Sequence, residues 1–129
     1  MLDHTGINVS DLLRSTSFYQ AALAPLGYRP LKQSLSAVGF GVTEGHGKSP
    51  DPAGDFWIAD GVPQVPRVHI AFSAGSRAEV DAFFDRALAA GGKDNGPPGL
   101  RPHYHANYYG AFVLDPDGYN IEAVCHVAP

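Results

Sequence analysis

Residues 4–27 read HTGINVSDLLRSTSFYQAALAPLG, and residues 69–92 read HIAFSAGSRAEVDAFFDRALAAGG. Aligned without gaps at an offset of 65 positions, the two stretches share six identities in 24 positions, including a leading histidine and a closing glycine. Self-similarity at a fixed spacing is the sequence signature of repeated structural units, but two copies are too few for a solenoid. We therefore expect two related modules, about 1–64 and about 65–129, within one domain of 129 residues.

Each copy combines a strand pattern with a helix pattern. Residues 2–9 and 67–73 alternate between apolar and small or polar side chains, which is the period of a strand with one buried face. Apolar side chains then recur at helical spacing over about 11–24, and again after the capping-box motif Ser76-Arg77-Ala78-Glu79. Further strands are expected near 35–42 and 55–59 in the first module, and near 109–115 and 119–126 in the second.

Composition excludes several classes of protein. The chain is 44% hydrophobic and 17% charged with a formal net charge of −4, so a packed core is expected and a basic nucleic-acid-binding surface is not. The 15 Gly and 11 Pro residues favour short elements joined by turns over a helical bundle. No apolar run approaches the roughly 18 residues of a membrane helix, no signal peptide is recognisable, and Cys125 is the single cysteine. We expect a soluble, cytoplasmic protein whose partner is a small molecule, with no membrane or nucleic-acid partner.

The last two expected strands are joined by Asp115-Pro116-Asp117-Gly118, whose residue types favour a tight turn. A tight turn sets the register of the strand that follows, and the register decides which side chains share a face. In the final strand Glu122 and His126 then share one face, whereas Tyr119 and Ile121 share the other.

Four positions are related in pairs by the repeat. His4 and His69 begin equivalent strands, and Glu122 falls 65 positions after Trp57. Two imidazoles and one carboxylate suit a divalent transition metal with open coordination sites, whereas Trp offers no ligand atom. The alternative is that each histidine is a hydrogen-bonded core or surface residue and that the glutamate is solvated. Trp57 is expected to wall a cavity or to stack on a planar substrate.

Residues 94–109 combine turn-forming residues with aromatic and basic side chains. A loop this long commonly has a function, and its aromatic content argues against disorder. We expect it to form a wall or lid over the metal site. The candidates for proton transfer are His103, His105 and Tyr108, and those for substrate binding are Trp57, Arg101, Tyr104, Tyr109 and His126. The alternative is that the tyrosines pack the edge of a module and the histidines are solvated.

Four segments together resemble the vicinal oxygen chelate superfamily, which includes glyoxalase I, bleomycin-resistance proteins, extradiol dioxygenases and fosfomycin-resistance thiol transferases. The segments are HTGINVSD at 4–11, RSTSFY at 14–19, HIAF at 69–72 and DPDGYNIE at 115–122. The resemblance implies an α+β fold of two paired βαβββ modules with curled mixed sheets, commonly in a homodimer. It also implies metal ligands at the positions of His4, His69 and Glu122.

The site residues favour some activities of this superfamily over others. Trp57 stands where the resemblance implies a fourth ligand and base in glyoxalase I, and Trp can neither ligate a metal nor accept a proton. The threonine that fosfomycin transferases carry two residues after the first histidine is Gly6 here. Bleomycin-type binders lack the metal, and most extradiol dioxygenases are longer, although two histidines and a glutamate suit iron.

We therefore expect a glyoxalase- or dioxygenase-like metalloprotein that holds iron, nickel, zinc or manganese. It is expected to act on a small oxygen-chelating substrate as a lyase, isomerase or dioxygenase. The alternative is a metal-free protein of the bleomycin-resistance type that binds and sequesters a small molecule. Pairing of the modules within one chain and exchange of modules between two chains are both compatible with the sequence.

Overall fold

The computed structural model describes all of residues 1–129. It contains eight strands and two α-helices, with a short 3-10 turn at Ala24–Leu26 after the first helix. In chain order the elements are β1 (Thr5–Val9), α1 (Leu12–Leu23), β2 (Arg29–Gln33), β3 (Ala37–Gly41), β4 (Phe56–Asp60), β5 (His69–Ser73), α2 (Arg77–Ala89), β6 (Lys93–Leu100), β7 (Tyr109–Leu114) and β8 (Asn120–Cys125).

The strands form two four-stranded sheets of the same topology. The first sheet has the order β1-β4-β3-β2, and the second has the order β5-β8-β7-β6. In each sheet one outer pair, β1 with β4 or β5 with β8, is parallel, and the other pairs are antiparallel. The sheets are open and do not pair with each other, so β1, β2, β5 and β6 are edge strands. This architecture confirms the expected α+β fold of two βαβββ units.

The internal repeat extends to the register of strand pairing. Gly6 of β1 lies opposite Trp57 of β4, and Ala71 of β5 lies opposite Glu122 of β8. Each residue of the second pair lies 65 positions after its counterpart, which is the offset found in the sequence. Trp57 and Glu122 therefore occupy equivalent positions in the two sheets.

Both helices begin with a side-chain cap. The Asp11 carboxylate accepts a hydrogen bond from the backbone N–H of Arg14 at 3.1 Å, and the Ser76 hydroxyl accepts one from that of Glu79 at 3.2 Å. The Glu79 carboxylate accepts from the N–H of Gly75, one residue earlier than in a standard capping box. These bonds satisfy backbone donors that have no partner inside a helix.

The two helices span 12 and 13 residues. Neither of them has the length and apolar character that crossing a membrane requires.

One core of 23 buried residues joins the two units. The first sheet contributes alternate residues such as Ile7, Phe56 and Ile58, and the second contributes residues such as Phe72 and Ile121. Helix α1 packs on the first sheet, α2 packs on the second, and the two helices contact each other. Because side chains alternate across a strand, the residues between these core positions point away from the core. We call these surfaces the outer faces of the two sheets.

Asp115 in the β7–β8 turn links the second unit to the first. Its carboxylate accepts hydrogen bonds from the Tyr19 hydroxyl of α1 and from the N–H groups of Asp117 and Tyr119, the latter two at 2.9 Å. Gly118 has φ of 88°, a left-handed conformation that glycine adopts without strain. The expected turn is therefore present, and a buried hydrogen bond anchors it.

The expectation of a single loop over residues 94–109 is wrong for its first half. Strand β6 occupies Lys93–Leu100, although it contains Gly96-Pro97-Pro98-Gly99. Bulges interrupt its pairing with β7, and β6 is an edge strand, where a proline without N–H breaks no ladder bond on its free side. The same reason applies to β2, an edge strand containing Pro30 that the sequence pattern did not indicate. The loop proper spans residues 101–108.

Candidate metal centre

His69 and Glu122 meet on the outer face of the second sheet. His69 Nε2 and Glu122 Oε1 are 3.0 Å apart. His69 is paired with Asn120 in the parallel β5–β8 ladder, and Glu122 follows two residues later on the same face. Such diagonal neighbours are within reach of long side chains, so strand pairing alone brings the two groups together.

The hydrogen bond made by His69 Nδ1 determines whether Nε2 carries a proton or a lone pair. Nδ1 lies 2.8 Å from the backbone carbonyl oxygen of Asn120, and because a carbonyl only accepts, Nδ1 carries a proton. In the neutral imidazole Nε2 then has a lone pair, which faces a carboxylate oxygen of Glu122. Two acceptors at this distance need a proton or a metal cation between them. Metal-ligating histidines commonly donate the other N–H to a backbone carbonyl in this way.

Glu122 is a buried carboxylate with few partners. Its side chain is 3% exposed, against 45% for that of His69. Its second oxygen, Oε2, accepts a hydrogen bond from the Tyr108 hydroxyl. Burial, followed by this hydrogen bond and the charge of Glu122, raises the pKa of Tyr108, and the Arg101 guanidinium opposes the rise. Tyr108 therefore keeps its proton at neutral pH and remains a donor to Glu122.

Aromatic rings from the loop before β7 and from the end of β8 surround Tyr108. The Tyr104, His105 and His126 rings lie 4.8, 5.3 and 5.4 Å from its ring. His103 packs on Tyr104 at 4.3 Å. His105 Nε2 and His126 Nδ1 are 3.0 Å apart, so one imidazole donates a hydrogen bond to the other. The structure thus brings five of the expected site residues into one wall beside Glu122.

Arg101 lies on the same outer face, next to Phe112. Its guanidinium carbon is 5.5 Å from the centre of the Phe112 ring, and the His69 ring is 6.1 Å from the same ring. Phe112 is directly opposite Glu122 in the β7–β8 ladder, so these two side chains share the outer face. No motif in the sequence points to Phe112. Alternation along β7 from Gly110 is the signal that places it there.

On the first sheet, an indole ring occupies the position equivalent to Glu122. Trp57 lies opposite Gly6 and Gly39, and its Nε1 donates to the Gly54 carbonyl at 3.2 Å. A Cβ on Gly39 would come within 2.7 Å of the indole, so the ring lies directly against this glycine. Half-buried Trp57 offers an apolar surface there but no ligand atom.

His4 does not join the His69–Glu122 pair within the chain. It precedes β1, its side chain is 59% exposed, and Nδ1 contacts the Asp3 carboxylate at 2.8 Å. His4 and His69 both border an open cavity of about 290 Å³, and His4 also borders one of about 350 Å³ beside Trp57. No three His, Cys, Asp or Glu side chains of the chain are grouped so as to hold a metal ion. One chain therefore assembles only two of the three expected ligands.

Tyr109 faces the opposite side of the second sheet. Its hydroxyl donates to the Asp81 carboxylate of α2 at 2.6 Å, and the Arg77 guanidinium lies 5.1 Å from the centre of its ring. Because consecutive residues of an extended chain point to opposite faces, Tyr108 and Tyr109 do not both face Glu122. The structure places Tyr109 against α2, contrary to its expected role in substrate binding.

Comparisons with known proteins agree with this fold. The model of the Glyoxalase/Bleomycin resistance protein/Dioxygenase superfamily matches residues 1–123. Among solved structures, a glyoxalase/bleomycin resistance protein from Albidiferax ferrireducens is 30% identical with a TM-score of 0.79, covering 98% of this chain and 99% of that one. No curated protein matches the chain.

Two more distant structures share the fold. A glyoxalase/bleomycin resistance protein/dioxygenase family enzyme from Burkholderia phytofirmans is 19% identical with a TM-score of 0.70, over 97% of this chain and 98% of that one. A variant of the fosfomycin resistance protein FosX from Listeria monocytogenes, complexed with Mn(II) and dihydroxypropylphosphonic acid, is 22% identical with a TM-score of 0.67. That match covers 96% of this chain and 88% of the other.

Proposed function

Because the chain belongs to the glyoxalase, bleomycin resistance protein and dioxygenase superfamily, we propose that it is a metal-dependent enzyme of that superfamily. In this proposal, His69 and Glu122 of one chain and His4 of a second copy hold a divalent metal ion. The substrate is a small molecule that chelates the metal through neighbouring oxygen atoms.

The contact between His69 and Glu122 carries the proposal. A buried carboxylate costs free energy unless a positive charge or hydrogen-bond donors compensate it. Here one oxygen has the Tyr108 hydroxyl, and the other faces a ring nitrogen whose partner nitrogen already holds the proton. A divalent cation satisfies both lone pairs at once, and imidazole nitrogen with carboxylate oxygen is a common ligand pair for transition metals.

A second copy of the chain supplies the third ligand. His4 is exposed before an edge strand, and β1 and β5 both have unpaired backbone edges beside which another sheet can lie. A twofold dimer that places the first sheet of one copy beside the second sheet of the other forms two identical sites. Each site then combines His4 and Trp57 of one copy with His69 and Glu122 of the other.

When bound, a divalent metal supplies Lewis-acid polarisation of a substrate oxygen, or oxygen chemistry if it is iron. The chain's own side chains do the rest. Tyr108 holds its proton on the hydroxyl and keeps Glu122 oriented, with Oε1 towards His69. The imidazole that donates in the His105–His126 hydrogen bond keeps a lone pair on its other ring nitrogen, which suits it to take up a substrate proton. His103 and Tyr104 extend the wall. Trp57 excludes water and offers a flat surface to the substrate.

Metal identity separates the reaction classes. Oxygen-dependent turnover with iron indicates a dioxygenase, whereas activity with nickel, zinc or manganese in the absence of oxygen indicates an isomerase, lyase or transferase. Manganese is the first metal to test, because FosX, which shares this fold, was solved as a complex with Mn(II).

Metal analysis of protein purified without an affinity tag tests the proposal. Reconstitution with Mn²⁺, Fe²⁺, Zn²⁺ or Ni²⁺ is expected to reach about one ion per chain for at least one of these metals. His69→Ala and Glu122→Ala are each expected to reduce uptake to about a tenth or less, since each removes one of three ligands. His46→Ala is the matched control, because His46 contacts Ser73 instead of Glu122. Full uptake by both ligand variants would refute the metal centre.

A metal-free binding protein is the second candidate function, and Trp57 is the observation that favours it. The half-buried indole lies opposite Gly6 and Gly39 in the sheet, and neither glycine has a side chain to cover it. Trp57 is the only tryptophan, so its fluorescence reports binding at this face without interference. Saturable quenching by a planar aromatic compound in protein that takes up no metal would support this candidate over the enzyme.

A further inference from the structure

We propose that Arg101 recognises an oxyanion of the substrate, so that the substrate carries a carboxylate, phosphate or phosphonate group near its metal-chelating oxygens. That this substrate binds at the candidate metal centre rests on the proposed function. The recognition of an anion rests on the surroundings of Arg101 alone.

The guanidinium of Arg101 is held in place by its own segment of chain. Nη1 donates to the Gly99 carbonyl at 2.9 Å, and Nη2 donates to the Pro97 carbonyl at 2.8 Å. Both carbonyls belong to the part of β6 where bulges interrupt pairing with β7. The Phe112 ring adds a cation–π contact at 5.5 Å. A side chain fixed in this way loses little further rotamer freedom when it binds a ligand.

Two glycines leave the space that the guanidinium occupies. A Cβ on Gly96 would lie 3.3 Å from Arg101 Nη2 and 3.1 Å from Phe112 Cδ1, and a Cβ on Gly99 would lie 3.2 Å from Nη1. Gly96 also has a backbone φ angle of 146°, which residues other than glycine rarely adopt. The Gly-Pro-Pro-Gly segment therefore supplies both the carbonyls that hold Arg101 and the room that it needs.

The positive charge of Arg101 has no negative partner in the chain. The chain's ion-pair contacts involve only His4 with Asp3 and His69 with Glu122. A guanidinium has five N–H donors, and the two carbonyl bonds leave three of them available. Arg101 is half-buried, so part of its side chain remains open to a ligand. A fixed guanidinium with free donors is suited to bind a carboxylate or phosphate oxygen pair.

The position of Arg101 relates it to the candidate metal centre. Phe112 contacts the guanidinium on one hand and the His69 ring, at 6.1 Å, on the other. Phe112 also lies opposite Glu122 in the β7–β8 ladder. Phe112 is thus a common neighbour of Arg101 and of the His69–Glu122 pair, so an anion bound by the guanidinium lies on the face of the sheet that carries the candidate metal centre.

Binding of three probe compounds tests the proposal. The probes are phenylphosphonate, benzoate and the uncharged benzamide, titrated by calorimetry into the wild-type protein with and without Mn²⁺. We expect at least one anion to bind about tenfold or more tightly than benzamide, which is the range of a charge-assisted hydrogen bond. A preference for phenylphosphonate assigns a tetrahedral anion, and a preference for benzoate assigns a carboxylate.

Variants separate recognition from a structural role. Arg101→Ala is expected to weaken binding of the preferred anion about tenfold or more, and Arg101→Lys severalfold, because an ammonium lacks the planar donor fork. Gly99→Ala keeps the charge but displaces the guanidinium, and we expect a loss of about threefold. Arg14→Ala, on the exposed side of α1, is the control and is expected to bind as the wild type does.

Two results would overturn the inference. One is equal binding of anions and benzamide by the wild type, and the other is unchanged anion affinity in Arg101→Ala, which would make Arg101 a support for β6 only. Thermal unfolding of Arg101→Lys checks that the variant is folded. Arg101-dependent anion binding in a protein that takes up no metal would leave this inference standing while the proposed function fails. Metal uptake without anion binding would leave the proposed function standing while this inference fails.

Discussion

The Tyr108 hydroxyl is one of only two polar groups within hydrogen-bond distance of the buried Glu122 carboxylate, the other being the His69 ring. Tyr108→Phe leaves Glu122 Oε2 buried without a donor and frees the carboxylate to rotate. We expect metal affinity to fall about tenfold or more, as for other groups that orient metal ligands. We also expect the free energy of unfolding to fall by about 1–3 kcal/mol. Calorimetric titration with Mn²⁺ and urea unfolding measure the two effects.

Tyr104→Phe is the matched control for this prediction. The Tyr104 ring belongs to the same wall, 4.8 Å from the Tyr108 ring, but it is 57% exposed and its hydroxyl has no hydrogen bond to the chain. We expect little change in either quantity. Equal losses in the two variants would show that ring packing, and not the bond to Glu122, supports the site.

Gly39 determines where the Trp57 indole lies. A Cβ at this position would lie 2.4 Å from the Ala53 carbonyl oxygen and 2.7 Å from the indole, so Gly39→Ala must displace both. We expect a loss of about 1–3 kcal/mol in the free energy of unfolding, as for other overpacked sites, with a red shift of Trp57 fluorescence. Gly61→Ala is the control, since its added Cβ makes only ordinary contacts at 3.4 Å or more. Unchanged emission in Gly39→Ala would contradict the placement of the ring.

At the scale of an element, the β7–β8 turn makes the stability of the protein depend on pH through Asp115. Burial raises the pKa of Asp115, although hydrogen bonds from Tyr19 and Tyr119 work in the opposite direction. The folded state therefore binds a proton more readily than the unfolded chain, whose Asp ionises near 3.8. The stability contributed by the protonated group is fully present below that pH and is lost as the pH rises through the folded pKa.

Asp115→Asn removes this titration. Relative to the variant, the wild type is expected to lose stability as the pH rises from about 3.5, and to level off once the folded carboxyl has also ionised. Urea unfolding of both proteins over a range of pH measures the difference. A difference that grows in favour of the wild type with rising pH would show that the hydrogen bonds of Asp115 outweigh its burial.

Also at this scale, the sequence predicts uninterrupted strands better than strands that contain proline and bulges. The expected strands near 55–59 and 119–126 correspond to β4 and β8, which are central in their sheets and carry uninterrupted patterns of buried residues. Strands β2 and β6 are edges that pair on one side only, so they tolerate proline, glycine and bulges. Their local sequence consequently carries turn residues, and their pairing depends on the neighbouring strand.

At the scale of the whole molecule, the division of the metal ligands predicts complementation between chains. If His4 of one copy joins His69 and Glu122 of another, neither His4→Ala nor Glu122→Ala binds metal by itself. Mixed after dissociation, they form heterodimers in which one of the two sites keeps all three ligands. Random pairing is expected to give roughly a quarter of an ion per chain. Metal analysis of the mixture, with each variant alone as control, measures it. No recovery in demonstrated heterodimers would place the ligands within one chain.

The sequence by itself determined two repeated units that each begin with a strand and a helix, the equivalence of Trp57 with Glu122, and the shared face of Glu122 and His126. These features follow from strand and helix periods and from turn residues, which are properties of neighbouring residues in the chain. Because the repeat offset is 65 positions, the register of strand pairing in one unit predicts the register in the other.

Only the tertiary structure decided which groups meet at the site. His69 Nδ1 donates to the backbone carbonyl of Asn120, 51 residues away, and this bond leaves the lone pair on Nε2. Arg101 is likewise held by two backbone carbonyls. Every residue has such a carbonyl, so residue identity does not indicate which one is used. The separation of His4 from Glu122 depends on how the two sheets and helices pack, and burial of apolar surface is non-directional. The arrangement of the units about their common core is therefore settled by the whole set of buried contacts.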